Sequence, residues 1–450
     1  MSFESLVKRC DLAHNYTRYE GYYSGKMRLD ALGISLPENA RILEMVAAFP
    51  QLSVQVLSEL LVPEGFILGD DRETPDLLRQ WFNANNMDAA IPLAIVEALV
   101  QGAAYWIVGY GDDNTPRITA HDRRGMATSY DHMGRIAEAV RKYRHGDTDY
   151  AAHYLPRETR YYVHSYAGWK FIETQEHGVD RPLVVPMFNK ERLGDTRGRS
   201  DLEQILKLTD AASRTLTNLQ VAQELVALPQ RYLFGNGATD ALMKPVLDET
   251  GNPVVDKRSP TGYAMEPLPE SQVEAKKFES YISSLWLGRE GTVAGQLPGG
   301  DLSQIIDTYK LYAQVISSIT GVPPSMLGIS TDNPASAEAM IAAKERLNRR
   351  AEQKAVIFGD ALEDVARLAL ALYDKLPDNA SQLGLQWRDP ATPSQNARTA
   401  ALLQAHAQGV ISAETAREGM RLTPEQRERE QANDNRFTIA EEDSNYGYRS

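Results

Sequence analysis

The residues best placed by type to do chemistry are few, and their spacing argues against most of it. Gly21-Tyr22-Tyr23-Ser24-Gly25-Lys26-Met27 comes nearest to a phosphate-cradling loop. It has one residue too few between its glycines, and a methionine stands where a magnesium-binding hydroxyl is needed. A surface turn is the better reading. The histidines His14, His121, His132, His145, His153, His164, His177 and His406 contain no i, i+4 pair that would set two imidazoles on one helical face around zinc. Gly198-Arg199-Ser200-Asp201 lacks the second glycine of a nucleophile elbow. Glu270, Glu274 and Lys276 have the residue types of a metal-dependent nuclease, in which carboxylates hold magnesium and a lysine orients water. Such charge patterns also belong to ordinary solvated helix faces, which is the preferred reading. No catalytic residue, metal ligand or cofactor site is therefore expected.

Bulk properties narrow the class. The 450 residues are 42% hydrophobic and 24% charged, enough for two or three cores. Cys10 is the single cysteine, which rules out an internal disulfide framework and fits folding in a reducing cytoplasm. The start Met1-Ser2-Phe3-Glu4 lacks the pattern of a secretory signal, and the apolar stretch Ile91 to Val100 is too short to span a bilayer. A soluble protein with no membrane partner is expected. The net charge of −13 is the opposite of the footprint left by tight, salt-sensitive DNA binding over a whole surface.

The elements that would position any site change character along the chain. Residues 1 to about 199 read as one α+β domain. Leu77, Leu78, Trp81 and Phe82 share a helix face, Asp88 caps the apolar run Ala89 to Ala104, and Tyr105-Trp106-Ile107-Val108 is a strand. Short β runs follow at Ile136 to Tyr143, Thr159 to His164 and Trp169 to Glu173. From Asp201 to Val226, Leu202, Ile205, Thr209, Ala212, Leu216, Leu219, Ala222 and Val226 recur at helical spacing, predicting a rod of about 40 Å. A turn-rich block with a helix near Glu274 to Leu287 comes next. A second helix is predicted from Asp301, capped by its carboxylate with Gln304, to a stop at Gly321 and Pro323-Pro324. Asn333-Pro334 should open a third helix reaching about Leu376, with Gly359 as a candidate kink. Helical patterns at Ser394 to Gly409 and Ala413 to Glu418 precede a charged tail.

Several local sequences, in this order, resemble the portal proteins of tailed double-stranded DNA bacteriophages. Pro182-Leu183-Val184-Val185-Pro186-Met187-Phe188-Asn189 followed by Gly198-Arg199-Ser200-Asp201-Leu202 is similar to that family's approach to its first stem helix. Asp210-Ala211-Ala212 and Asn218 sit where that helix often carries an Asp-Ala pair and an Asn. Gly321-Val322-Pro323-Pro324-Ser325-Met326-Leu327-Gly328, then Asn333-Pro334-Ala335-Ser336-Ala337-Glu338, resembles the junction of second stem helix, tunnel loop and tunnel helix.

The resemblance implies an α+β portal fold with a wing at 1–199, stem helices at 200–228 and 301–321, and a clip at 229–300. A tunnel loop falls at 322–335, a tunnel helix at 336–376, and a crown and tail at 377–450. It implies a homo-oligomeric ring, usually of twelve subunits, at one capsid vertex of the virion, assembled in the host cytoplasm. Double-stranded DNA would pass through its channel. Partners would be the terminase large subunit, head-completion or adaptor proteins, and the major capsid and scaffolding proteins. The loop residues Pro323, Pro324, Ser325, Met326, Leu327, Ser330, Thr331, Asp332 and Asn333 would face DNA or a neighbouring loop. Lys344, Arg346, Arg349, Arg350 and Lys354 would touch DNA or pair with a neighbour's acids. Asp201, Glu203, Asp210 and Glu224 would repel phosphate if they face the channel. A metal-dependent nuclease and another helical adaptor of the virion remain the competing readings.

Overall fold

A computed structural model describes residues 2–11, 16–29, 42–227, 231–234, 243–258, 262–267, 293–296, 302–329, 337–391, 395–420 and 429–430. Its centre is a three-stranded antiparallel sheet in which β2 (Ala103–Gly109) lies between β3 (Arg117–His121) and β9 (Val184–Phe188). Every β2 residue from Ala103 to Val108 is buried, as expected of a continuous apolar run at the middle of a layered core. α5 (Met87–Gln101) packs on this sheet, and so does the long helix α8 (Ala337–Leu372). Asn86 starts α5 in place of the expected Asp88, which lies in the first turn. Gly102, at φ 83°, ends it and turns the chain directly into β2.

One carboxyl sits badly in α5. Glu97 Oε1 is buried and has no hydrogen-bond partner among the described residues. Burial, reinforced by Asp122 and Glu20, pushes the Glu97 pKa from its ordinary 4.5 to about 7. The folded chain therefore holds more protons than the unfolded chain between those two values, and stability falls as pH rises across that window. Replacing Glu97 by Gln is expected to raise the thermal midpoint at pH 8 by on the order of a few degrees and to leave it unimproved at pH 4. Melting curves at the two pH values check this.

A five-stranded meander hangs beside the central sheet, with β4 (Met126–Tyr130), β5 (Ile136–His145), β6 (Thr148–Leu155), β7 (Glu158–Ser165) and β8 (Gly168–Glu176) in sequence order. Ala139, Ala152 and Tyr154 on one of its faces join the main core. The other face carries Val140 and Ala151 and is covered by α1 (Phe3–Asp11), through Leu6, Val7 and Cys10. Phe3 stacks on Tyr162 with ring centroids 4.1 Å apart. The strands expected at 136–143, 159–164 and 169–173 are all present, while β3, β4 and β6 carry no alternation strong enough to announce them.

The predicted first stem helix begins later than expected. α6 runs Leu206–Ala227, and residues 201–205 form turns, because Ser200 and Asp201 commit their side chains elsewhere. α7 (Ser303–Thr320) has Leu302 at its cap position. Asp301 itself lies outside the described residues. Gly321, at φ 77°, stops α7 as predicted. α6 and α7 pack against each other and share the main core through Leu206, Ala212, Ala313 and Ile316, as do Leu202 and Ile205 ahead of α6. One buried cluster thus continues across position 199.

α8 spans 36 residues, about 54 Å. It ends before the predicted Leu376 because Asp374 takes a left-handed conformation, φ 54°, and the Lys375 amide turns back to the Leu370 carbonyl at 2.9 Å. It runs as one helix through Gly359, the position expected to kink. A Cβ there would lie 3.0 Å from Trp387 Nε1, and the glycine makes room for that indole. Trp387 belongs to β14 (Gly384–Trp387), which pairs with β1 (Pro63–Ile67). The expected helix near Glu274 to Leu287 lies outside the described residues. The helices α9 (Gln395–Ala407) and α10 (Ala413–Gly419) match the two short patterns read in the sequence.

Candidate functional site: the wing to stem junction

The chain converges where β9 ends and α6 is about to start. The Asn189 amide donates to the Gly102 carbonyl at 2.9 Å, the Arg199 amide to the Asn189 carbonyl at 2.8 Å, and the Asp201 amide to the Leu99 carbonyl at 2.9 Å. Ser200 Oγ donates to the Val100 carbonyl at 2.5 Å. These bonds tie the 189–202 segment to the last turn of α5. Gly198 must be glycine: its φ is 73°, and a Cβ would stand 1.8 Å from the Gly102 oxygen.

Five charged or polar side chains then meet at this junction. Asn189 Nδ2 donates to Asp201 Oδ1 at 2.7 Å. From α8, Lys354 Nζ reaches the same Asp201 oxygen at 3.1 Å, Glu191 at 3.5 Å, and Asn189 Oδ1. Arg350, one turn earlier, donates to Asp201 Oδ2 at 2.9 Å and to the Thr320 carbonyl at 2.7 Å. The last contact places a cation on the C-terminus of α7, where the helix dipole favours it. Lys354 is only 3% exposed and Asn189 fully buried. One carboxylate thus holds β9, the start of α6, the end of α7 and the middle of α8 in register.

Further ties reach α6 from the N-terminal region. The Tyr22 hydroxyl donates to both Asp210 oxygens at 2.7 and 2.9 Å. The amides of Met45 and Ala47 donate to Thr217 Oγ1 and Ser213 Oγ, each at 3.0 Å. These contacts show what several of the charges read from the sequence meet within the chain. Asp201 and Asp210 accept hydrogen bonds from their own chain, and Glu203 pairs with Arg199 at 2.7 Å. Arg350, grouped in the sequence with Lys344, Arg346 and Arg349, reaches Asp201 and the Thr320 carbonyl. Arg349 reaches Glu345 at 2.5 Å on the exposed side of the helix, and Lys344 and Arg346 are exposed.

Pro324, Ser325, Met326 and Leu327 form a single 3-10 turn after Pro323, with Leu327 buried and Met326 packed on the main core. Ser330, Thr331, Asp332 and Asn333 lie outside the described residues, as do Glu270, Glu274 and Lys276. Glu191 is the charged member of the junction that sequence reasoning passed over. No local signal marks it, because its partners Arg350 and Lys354 are 159 and 163 positions away.

Among the described residues no group of three or more His, Cys, Asp or Glu side chains could hold a metal ion. The junction joins protein to protein, and its interior charges are spent on orienting long helices against a mixed α/β body. Its class is that of a structural subunit.

The model of the family described as "Phage portal protein, SPP1 Gp6-like" matches residues 10–436. The chain is 32% identical to the portal protein of Mycobacterium phage D29 over 437 residues, covering 93% of this chain and 84% of that one. It is also 32% identical to the portal protein of Mycobacterium phage L5 over 446 residues, covering 95% and 85%. A solved structure described as the virion of a native gene transfer agent particle is similar at 17% identity and a TM-score of 0.48, covering 93% of this chain and 99% of that one. The chain belongs to the SPP1 Gp6-like family of phage portal proteins, and it is a structural portal subunit, not an enzyme.

Proposed function

We infer that copies of this chain close into a ring, of twelve subunits on the family pattern, at one capsid vertex of a virion. Assembly takes place in the host cytoplasm, and double-stranded DNA passes through the central channel during packaging and ejection. The wing is residues 1–199, the stem helices 200–228 and 301–321, the clip 229–300, the tunnel loop 322–335, the tunnel helix 336–376 and the crown 377–450. The clip docks the terminase large subunit and later the head-completion proteins, while the outer surface meets the major capsid and scaffolding proteins. Pro323 to Leu327 and Ser330 to Asn333 border the channel or a neighbouring loop. Lys344, Arg346 and Arg349, the last beside its Glu345 partner, meet DNA or a neighbour's acids.

The observation that carries this reading is the apolar surface left on the stem. Leu311 and Val315, one helical turn apart on α7, are 54% and 37% exposed although α6 already covers the opposite face. A neighbour placed around an axis would bury them, and a head-to-tail contact of this kind closes into a ring when the rotation fits. Negative-stain electron microscopy with mass measurement tests it. Turbine-shaped particles with a central hole are expected, and Leu311→Glu/Val315→Glu should shift the mass to monomer. A wild-type chain that stays monomeric at high concentration would remove the reading.

A further inference from the structure

Beside the junction, α7, α8 and the 190–204 segment enclose a cleft of about 690 Å³. Ile319, Val356 and Ile357 give it apolar lining, and Val356 is 66% exposed. Lys190, Arg346 and Arg349 add cations at the same place. Glu191, the acid of the lining, is already held by Arg350, Lys354 and Gln204. The cleft therefore offers an apolar lining with surplus positive charge. A sliding phosphodiester would gain from the cations and nothing from the exposed valine, so the fit is to a peptide with apolar anchors and several carboxylates.

This chain carries such a peptide. Phe437-Thr438-Ile439-Ala440-Glu441-Glu442-Asp443 places two large apolar residues two positions apart, on one side of an extended strand, and follows them with three acids. It lies outside the described residues and directly beyond the 10–436 match to the portal family. The stretch 420–436 between α10 and this segment extends to at most about 60 Å.

We propose that the C-terminal segment 437–443 docks in the cleft between α7 and α8. Phe437 and Ile439 rest on Ile319, Val356 and Ile357, and the acids face Lys190, Arg346 and Arg349. Because those cations are exposed, the contact is salt-sensitive. Docking in the chain's own cleft or in that of another copy satisfies the same chemistry.

The test uses the full chain in a Cys10→Ser background, with Val356→Cys and Ile439→Cys, oxidised and resolved on a non-reducing gel. Val410→Cys paired with Ile439→Cys is the control. Cross-linking at least fivefold above control is expected, falling to control when Arg346→Glu/Arg349→Glu is added. A product at monomer size places the tail in its own cleft, and one at dimer size places it in another copy. Should the cleft variants unfold, Glu441→Lys/Glu442→Lys, which alters no described residue, is expected to speed tryptic cutting at Arg436 at least fivefold. Cross-linking at the control level, cross-linking indifferent to charge reversal, or unchanged tryptic cutting overturns the proposal. So does protection of the position-356 thiol by duplex DNA without any tail cross-link.

Discussion

Gly198→Ala is expected to destabilise the chain by more than about 3 kcal/mol, lowering the melting midpoint by at least about 5 °C and reducing soluble yield. Two costs combine. Alanine at φ 73° pays roughly 1–2 kcal/mol for a left-handed backbone. The larger cost is steric, since the new methyl would stand 1.8 Å from the Gly102 oxygen and 2.8 Å from its carbon, both rigid backbone atoms. Relief requires the 189–202 segment to lift from α5. Doing so breaks the Asn189 to Gly102 and Arg199 to Asn189 bonds and moves Asp201 away from Lys354. Gly194, four residues earlier, has nothing within 4 Å of the place a methyl would occupy, so Gly194→Ala serves as the control and should melt like wild type. A Gly198→Ala midpoint within a degree of wild type would show that the two backbones do not touch.

The sequence made the long elements legible for a physical reason: periodicity accumulates over many turns. The stripes of α6, α7 and α8 each repeat often enough to outweigh individual residues, and the αL glycine at 321 ended α7 where it was expected. Boundaries failed where a side chain had two possible employers. Asp201 looks like the first residue of an amphipathic helix, but Asn189, Lys354 and Arg350 claim its carboxylate, and the helix waits until Leu206. Gly359 reads as a weak point in a helix until β14 is known to lay Trp387 across it. The same limit hid the β1–β14 pair, whose strands, Pro63–Ile67 and Gly384–Trp387, lie far apart along the chain. The motif around Gly198 to Leu202 was visible as a resemblance. Its cause, a backbone contact with Gly102 and a carboxylate shared among four elements, is three-dimensional and leaves no spacing to read.

Asp201→Ala carries the second large effect. Of the two carboxylates beside Lys354, Asp201 at 3.1 Å stands closer than Glu191 at 3.5 Å, and the lysine side chain is 4% exposed. Removing the nearer acid leaves a buried ammonium facing Asn189 Oδ1 with inadequate neutralisation, at a cost of about 3–5 kcal/mol. Lys354→Ala should cost a similar amount through the stranded carboxylate, reduced because Arg350 still reaches Asp201 Oδ2. Lys354→Met combined with Asp201→Asn removes both charges, lets the amide keep its bond from Asn189 by a flip of either side chain, and fills the lysine's volume. That double variant is expected to recover at least half of the loss, so the two sites are strongly non-additive. Denaturation midpoints of the four proteins check it. Recovery of stability does not imply recovery of assembly, because Arg350 then keeps only Glu191 and the Thr320 carbonyl and α7 is less firmly held to the central sheet. The double variant should therefore melt above either single variant yet yield no more intact rings by electron microscopy, whereas parallel recovery of both would assign the junction to folding alone.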